Sequence, residues 1–132
     1  MSVSICLREA EFSVKPENVA KINNIFLEYS ARSFRCKPEE VENPDWCLSS
    51  DIDIDDYLAN PKLGPTFTLE LNTEYSSYDE ETMFEEIAPF VEKGSWIELA
   101  YEGCDVVRVY FDGQESHWIE PEITWPIPDS CK

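Results

Sequence analysis

The residue pattern predicts an α+β fold: a mainly antiparallel sheet of four to five strands with two main helices packed on one face. Three observations point there. Apolar residues alternate with polar ones over several short stretches, two segments carry apolar residues at helical spacing, and Glu102-Gly103 and Asp112-Gly113 are short turn signals between the last strands. The order β-α-(excursion)-β-α-β-β-β then places the helices on one face of the sheet, within one domain over 1–132.

Val3, Ile5 and Leu7 alternate with polar residues, and Ala10, Phe12 and Val14 do so on the opposite parity. A β-bulge near Arg8–Glu9 explains the slip, because one extra residue flips every later side chain to the other face. Pro16 suits a first helical turn, and Val19, Ile22, Ile25, Phe26 and Tyr29 follow helical spacing, giving an amphipathic helix over about 16–32. Residues 33–65 contain Pro38, Pro44, Pro61 and Pro65 and read as an irregular excursion, too small for its own core. Within it a short strand around Trp46–Leu48 and a short helix over Asp53–Ala59 are expected, with Ser50 or Asp51 as cap and Pro61 as stop.

Phe67, Leu69 and Leu71 alternate with Thr68, Glu70 and Asn72, a half-buried strand. Residues 79–93 then form a helix capped by Asp79, with Met83, Phe84, Ile87 and Val91 on one face. Pro89 should bend it after Ala88, and Gly94 fits its C-terminal stop. Strands at Ser95–Tyr101, Asp105–Phe111 and roughly Ser116–Trp125 end the chain as an antiparallel meander. On the last of them His117, Ile119, Ile123 and Trp125 share one face, and Trp118, Glu120, Glu122 and Thr124 the other.

Charge narrows the function classes. The chain has 28 Asp+Glu against 10 Lys+Arg, a formal net charge of −18. Residues 1–37 hold six basic and four acidic residues, whereas residues 38–102 hold 18 acidic residues against Lys62 and Lys93 alone. Such a surface repels nucleic acid and anionic membrane, so direct binding to either is not expected. An aromatic content of 13% separates the chain from disordered acidic tails. Five cysteines without a C-x-x-C pair, no visible signal peptide and no long apolar run read as free thiols in the cytoplasm.

Catalytic and metal chemistry find little support. His117 is the single histidine, and ordinary strand hydrogen bonding is the expectation for it. No G-x-S-x-G, P-loop or G-x-G-x-x-G occurs. Asp51-x-Asp53-x-Asp55 imitates the start of a calcium loop, but its sixth position is Asp56 instead of glycine and its twelfth is Lys62 instead of glutamate. With 28 acids, close carboxylate pairs are inevitable and carry no signal for acid/base catalysis. No enzyme activity, cofactor or metal is therefore expected.

The acidic surface itself remains. Glu81, Glu85 and Glu92, with Glu86 beside them, lie on or near the polar side of the 79–93 helix. Carboxylates one turn apart are about 5–6 Å from each other, in the range of phosphate spacing along a nucleic-acid strand. Asp51, Asp53, Asp55 and Asp56 form a second cluster, with Glu39, Glu40, Glu42 and Asp45 upstream. Tyr75 and Tyr78 flank the helical cluster as candidate contact anchors. A solvated face is the ordinary meaning of a charge run; the near absence of cations over 38–102 favours a partner-binding one.

The stretch Glu86-Ile-Ala-Pro-Phe-Val-Glu-Lys-Gly-Ser-Trp-Ile-Glu-Leu99, continuing through Val106–Gly113, resembles small acidic proteins of phages and mobile elements. In charge and size, though not in motif, the chain is also similar to anti-CRISPR and anti-restriction inhibitors that mimic nucleic acid. The resemblance carries no catalytic residue. It implies a non-enzymatic inhibitor of a basic, nuclease-like protein or nucleoprotein effector in the host cytoplasm. An immunity protein against a basic bacterial toxin would present the same surface physics, and a small acid/base enzyme is the remaining class.

Overall fold

In a computed structural model, residues 3–60, 62, 67–77, 79–103, 105–122 and 126–131 are described. Six strands and three helices lie among them: β1 Ile5–Glu11, α1 Val19–Phe34, β2 Trp46–Ser50, α2 Ile54–Ala59, β3 Phe67–Leu71, α3 Glu80–Ile87, β4 Trp96–Tyr101, β5 Asp105–Phe111 and β6 Ser116–Ile119. The fold is α+β, with an antiparallel four-stranded sheet in the order β1-β4-β5-β6 and a separate antiparallel pair, β2-β3.

The alternation in the sequence becomes two sheet faces. Ile5, Ile97, Leu99, Val109 and Phe111 are buried on the inner face. The bulge falls where the parity slips: Leu7 pairs with Leu99 and Glu9 with Glu98, leaving Arg8 as the extra residue. Trp96, Glu98, Arg108 and Tyr110 face outward as cross-strand neighbours, Trp96 opposite Tyr110 and Glu98 opposite Arg108.

Phe26 and Ile22 of α1 and Met83, Phe84 and Ile87 of α3 close the core together with Trp46, Leu48 and Leu69. Aromatic rings run through it in sequence: Phe26 to Trp46 at 6.5 Å, Trp46 to Phe84 at 5.1 Å, and Phe84 to Phe111 at 6.3 Å and Trp118 at 6.1 Å. Trp46–Phe84 and Phe84–Phe111 meet edge to face, a geometry that adds to simple area burial. The excursion is tied to α1 through Asn23, whose Oδ1 accepts from Leu48 N–H at 2.8 Å and whose Nδ2 donates to Leu48 O at 3.2 Å.

Several details depart from the sequence reading. Phe67–Leu71 does not join the main sheet; it pairs with Trp46–Ser50 from within the excursion, burying Trp46, Leu48 and Leu69 on one side. α1 runs to Phe34 and ends without glycine: Arg35 takes φ 56°, and Cys36 N–H donates to Ala31 O at 3.0 Å. α2 is capped by Asp53, whose Oδ1 accepts from Asp55 N–H at 2.8 Å, because a helix opening at Ile54 puts only that carboxylate within reach. Ser50 Oγ accepts from Ile52 N–H instead.

The 79–93 helix is shorter than its pattern. α3 stops at Ile87, and Ala88–Phe90 tighten into a 3-10 turn around Pro89, whose ring cannot continue an α-helix. Val91 then bridges to Val14, so Glu92 lies outside the helix. Gly94, at φ 93°, serves the turn into β4 and not a helix end. Asp79 sits at the N-cap position without a side-chain cap bond; Glu80 Oε1 accepts from Ser77 N–H at 3.2 Å. β6 ends at Ile119, two residues before Pro121, which has no N–H to give a ladder. Ile123–Trp125, Cys104 and Tyr78 lie outside the described residues. Cys6, Cys36, Cys47 and Cys131 are free thiols.

Candidate partner-binding face

Helical spacing sorts the residues of α3. Met83, Phe84 and Ile87 turn into the core, which leaves Glu81, Glu85 and Glu86 exposed. The helix lies along β6, and between them runs a groove of about 390 Å³ lined by Glu81, Thr82, Glu85, Glu86, Ser116 and Trp118. One wall is therefore three carboxylates, and Trp118 forms the apolar part. The Trp118 indole Nε1 is buried without a hydrogen-bond partner.

Hydrogen bonds hold these carboxylates in place. Glu85 Oε2 accepts from Ser116 Oγ at 2.6 Å and from Ser116 N–H at 3.1 Å, stitching α3 to β6. The two bonds favour the ionised form and lower the Glu85 pKa. Glu86 accepts from the Tyr29 hydroxyl of α1; burial first, then this contact, push the Tyr29 pKa up to about 12. Arg32 stacks over the Tyr29 ring at 4.7 Å.

A turn between β5 and β6 extends the acidic rim. Asp112 Oδ1 accepts from Gln114 N–H at 2.8 Å and Glu115 N–H at 2.7 Å, and Asp112 Oδ2 lies 2.7 Å from His117 Nε2. The imidazole and the two amides hold the Asp112 pKa down to about 2. In return Asp112 raises the pKa of His117, with Glu115 and Glu85 adding to the effect. Three carboxylates, Glu81, Glu85 and Glu86, thus line the groove, and Asp112 and Glu115 lie on the turn beside it, where Asp112 and His117 act on Glu85. Among the described residues, ion pairs join Glu98 to Arg8 and Arg108 and Asp112 to His117; no lysine or arginine pairs with these five acids.

The remaining candidate residues lie elsewhere. Asp51, Asp53, Asp55 and Asp56 are exposed beyond the end of the β2–β3 ladder where Ser50 pairs with Phe67. α3 begins at the opposite end: Glu80 acts on Asp45, which precedes Trp46. Four residue steps of strand, about 13 Å, separate the two ends. The Asp51–Asp56 group is therefore separate from the α3 group. Tyr75 is 54% exposed and bridges to Ser4 at the start of β1, the end of the sheet at which Glu80 and Glu81 act on Tyr101. Tyr78 falls outside the described residues.

Two groupings escaped the sequence reading. Asp112, Glu115 and His117 offer ligand atoms within 4.8 Å of one another, a donor set for a divalent cation on an exposed turn. The Asp112-x-x-Glu115-x-His117 spacing around a Gly113 turn was the available signal. A cation there would have to displace the 2.7 Å contact between His117 and Asp112. Glu80, 4% exposed, lies near Asp45, whose pKa is raised first by burial and then by Glu80. Neither of these two lines the α3–β6 groove. No helix of the described residues is long and apolar enough to cross a membrane. Comparison with known proteins finds no matching family model, no matching curated protein and no matching solved structure.

Proposed function

We propose that this chain is a non-enzymatic acidic inhibitor that docks the α3–β6 face onto the nucleic-acid-binding surface of a basic protein. Glu81, Glu85 and Glu86 stand where phosphates would stand against the partner's lysines and arginines. A phage anti-CRISPR or anti-restriction protein, working in the host cytoplasm on a nuclease-like effector, is the form this takes. The observation that carries the reading is that Glu81, Glu85 and Glu86 line one groove, with Asp112 and Glu115 on the turn beside it, and no lysine or arginine is paired to any of them among the described residues.

The chemistry favours docking over turnover. Glu85 stays ionised through its bonds to Ser116, and Asp112 through His117 and two amides. Carboxylates held as anions suit charge pairing, whereas a general acid needs its pKa raised toward the working pH. Steering by −18 charges speeds encounter with a basic partner and makes association sensitive to salt.

The test uses the full chain and its E81K/E85K/E86K variant as baits in bacterial lysate, at about 0.05 M and about 0.5 M salt, where screening lengths differ several-fold. Nucleic-acid-binding proteins retained by the wild type at low salt and lost from the variant are expected. The same proteins captured equally by both baits would contradict the assignment of the face.

A further inference from the structure

The outer face of the sheet holds a second cavity, of about 410 Å³, where β5, β6 and residues 120–122 meet. That volume falls within the range of ligand pockets. Its walls are apolar or aromatic: Val106, Tyr110, Ile119 and Pro121. Arg108 lines it, with Nε donating to Glu98 Oε1 at 3.0 Å, Nη1 donating to Tyr110 Oη at 3.1 Å, and the guanidinium 4.2 Å from the Trp96 ring centroid. Glu98 is shared between Arg108 and Arg8, the latter at 3.7 Å, so these three side chains together keep one positive charge. Glu120 and Glu122, both exposed and paired with no lysine or arginine among the described residues, outweigh that charge and turn the balance negative.

An apolar trough with surplus negative charge at its rim disfavours an anion and suits a long apolar stem ending in a cation. Between the two natural candidates the guanidinium fits better. It is weakly hydrated, it stacks on aromatic faces such as Tyr110, and its planar fork matches a carboxylate. We propose that this cavity receives an arginine side chain of the basic protein partner, with Glu120 and Glu122 pairing the guanidinium and Val106, Ile119 and Pro121 covering its stem. The inference rests on the reading of the chain as a binder of basic proteins. β6 separates this cavity from the α3–β6 groove, so a partner gripping that edge strand would meet both.

The test is an amide-shift titration of the isotope-labelled full chain with blocked hexa-arginine, hexalysine and hexacitrulline peptides, at about 0.15 M salt to suppress diffuse attraction. Saturable shifts at Val106, Arg108, Tyr110 and Ile119 with hexa-arginine, absent with hexacitrulline, are expected. The E120Q/E122Q variant should weaken that response about five-fold, the scale of two rim ion pairs. Shifts confined to α3 and Ser116 would overturn the cavity while leaving the groove reading standing. An equal response to hexalysine would overturn the arginine assignment, and no response anywhere would count against both readings.

Discussion

Phe84 shows most directly what single side chains do here. Fully buried, it touches the rings of Trp46, Phe111 and Trp118, and so joins α3 to the β2–β3 pair and to the main sheet. Phe84→Ala should lower unfolding free energy by about 3–5 kcal/mol, measured by urea denaturation, because the cavity would lie among rigid rings. A loss below about 1 kcal/mol would mean that the aromatic cluster is not the core's centre. At the rim, His117 is the only histidine, so its titration can be followed alone by NMR. Its midpoint should lie above the ordinary 6.5, and Asp112→Asn should bring it down. The signs follow. Since His117 is raised, its contribution to stability is full below pH 6.5 and fades as pH rises through the raised value. Since Asp112 is held at about 2 against 3.8, its contribution is present above 3.8 and fades as pH falls through about 2. A native midpoint at or below 6.5 would refute the pairing.

Among the elements, local pattern was legible and competition between elements was not. The slip from Leu7 to Ala10 located the bulge, because parity is a property of the strand itself. The apolar faces of α1 and α3 were readable for the same reason. Partner choice of β3 was hidden: half-buried alternation fits any sheet, and pairing with Trp46–Ser50 is decided by what lies beneath Trp46 and Leu69. The acidic wall was legible as Glu81, Glu85 and Glu86, but its other side was not, since Ser116 and Trp118 reach it only through the meander. The end of α1 was also hidden, because arginine supplies the left-handed residue usually given by glycine. Arg35→Gly should therefore stabilise the protein by about 0.5–1 kcal/mol, the relieved strain minus the added freedom of the unfolded chain. A higher urea midpoint with an unchanged slope would show it, and a lower midpoint would mean that the arginine side chain contributes more than its backbone costs.

For the whole molecule, exposed acids stand at several places, among them Glu81, Glu85 and Glu86 on α3, Asp51–Asp56 beyond β2, and Glu120 and Glu122 after β6. Of the N-terminal cations, Lys21 stacks over Phe90 at 5.4 Å, Arg32 over Tyr29 at 4.7 Å, and Arg8 pairs with Glu98; among the described residues none forms an ion pair with the groove carboxylates. A chain at −18 should repel itself, so raising salt from about 0.02 M to about 0.3 M should raise its melting temperature; a flat or falling response would mean that the charges are already compensated. Total charge was plain from the sequence, while the separation of the α3 acids from Asp51–Asp56 depended on the β2–β3 ladder that holds them apart. The most direct measurement is competition on a captured effector: labelled nucleic acid bound to it, with increasing amounts of this protein added. Displacement of the nucleic acid, lost with E81K/E85K/E86K, is the predicted result. A stable ternary complex holding both would contradict the exchange of carboxylates for phosphates.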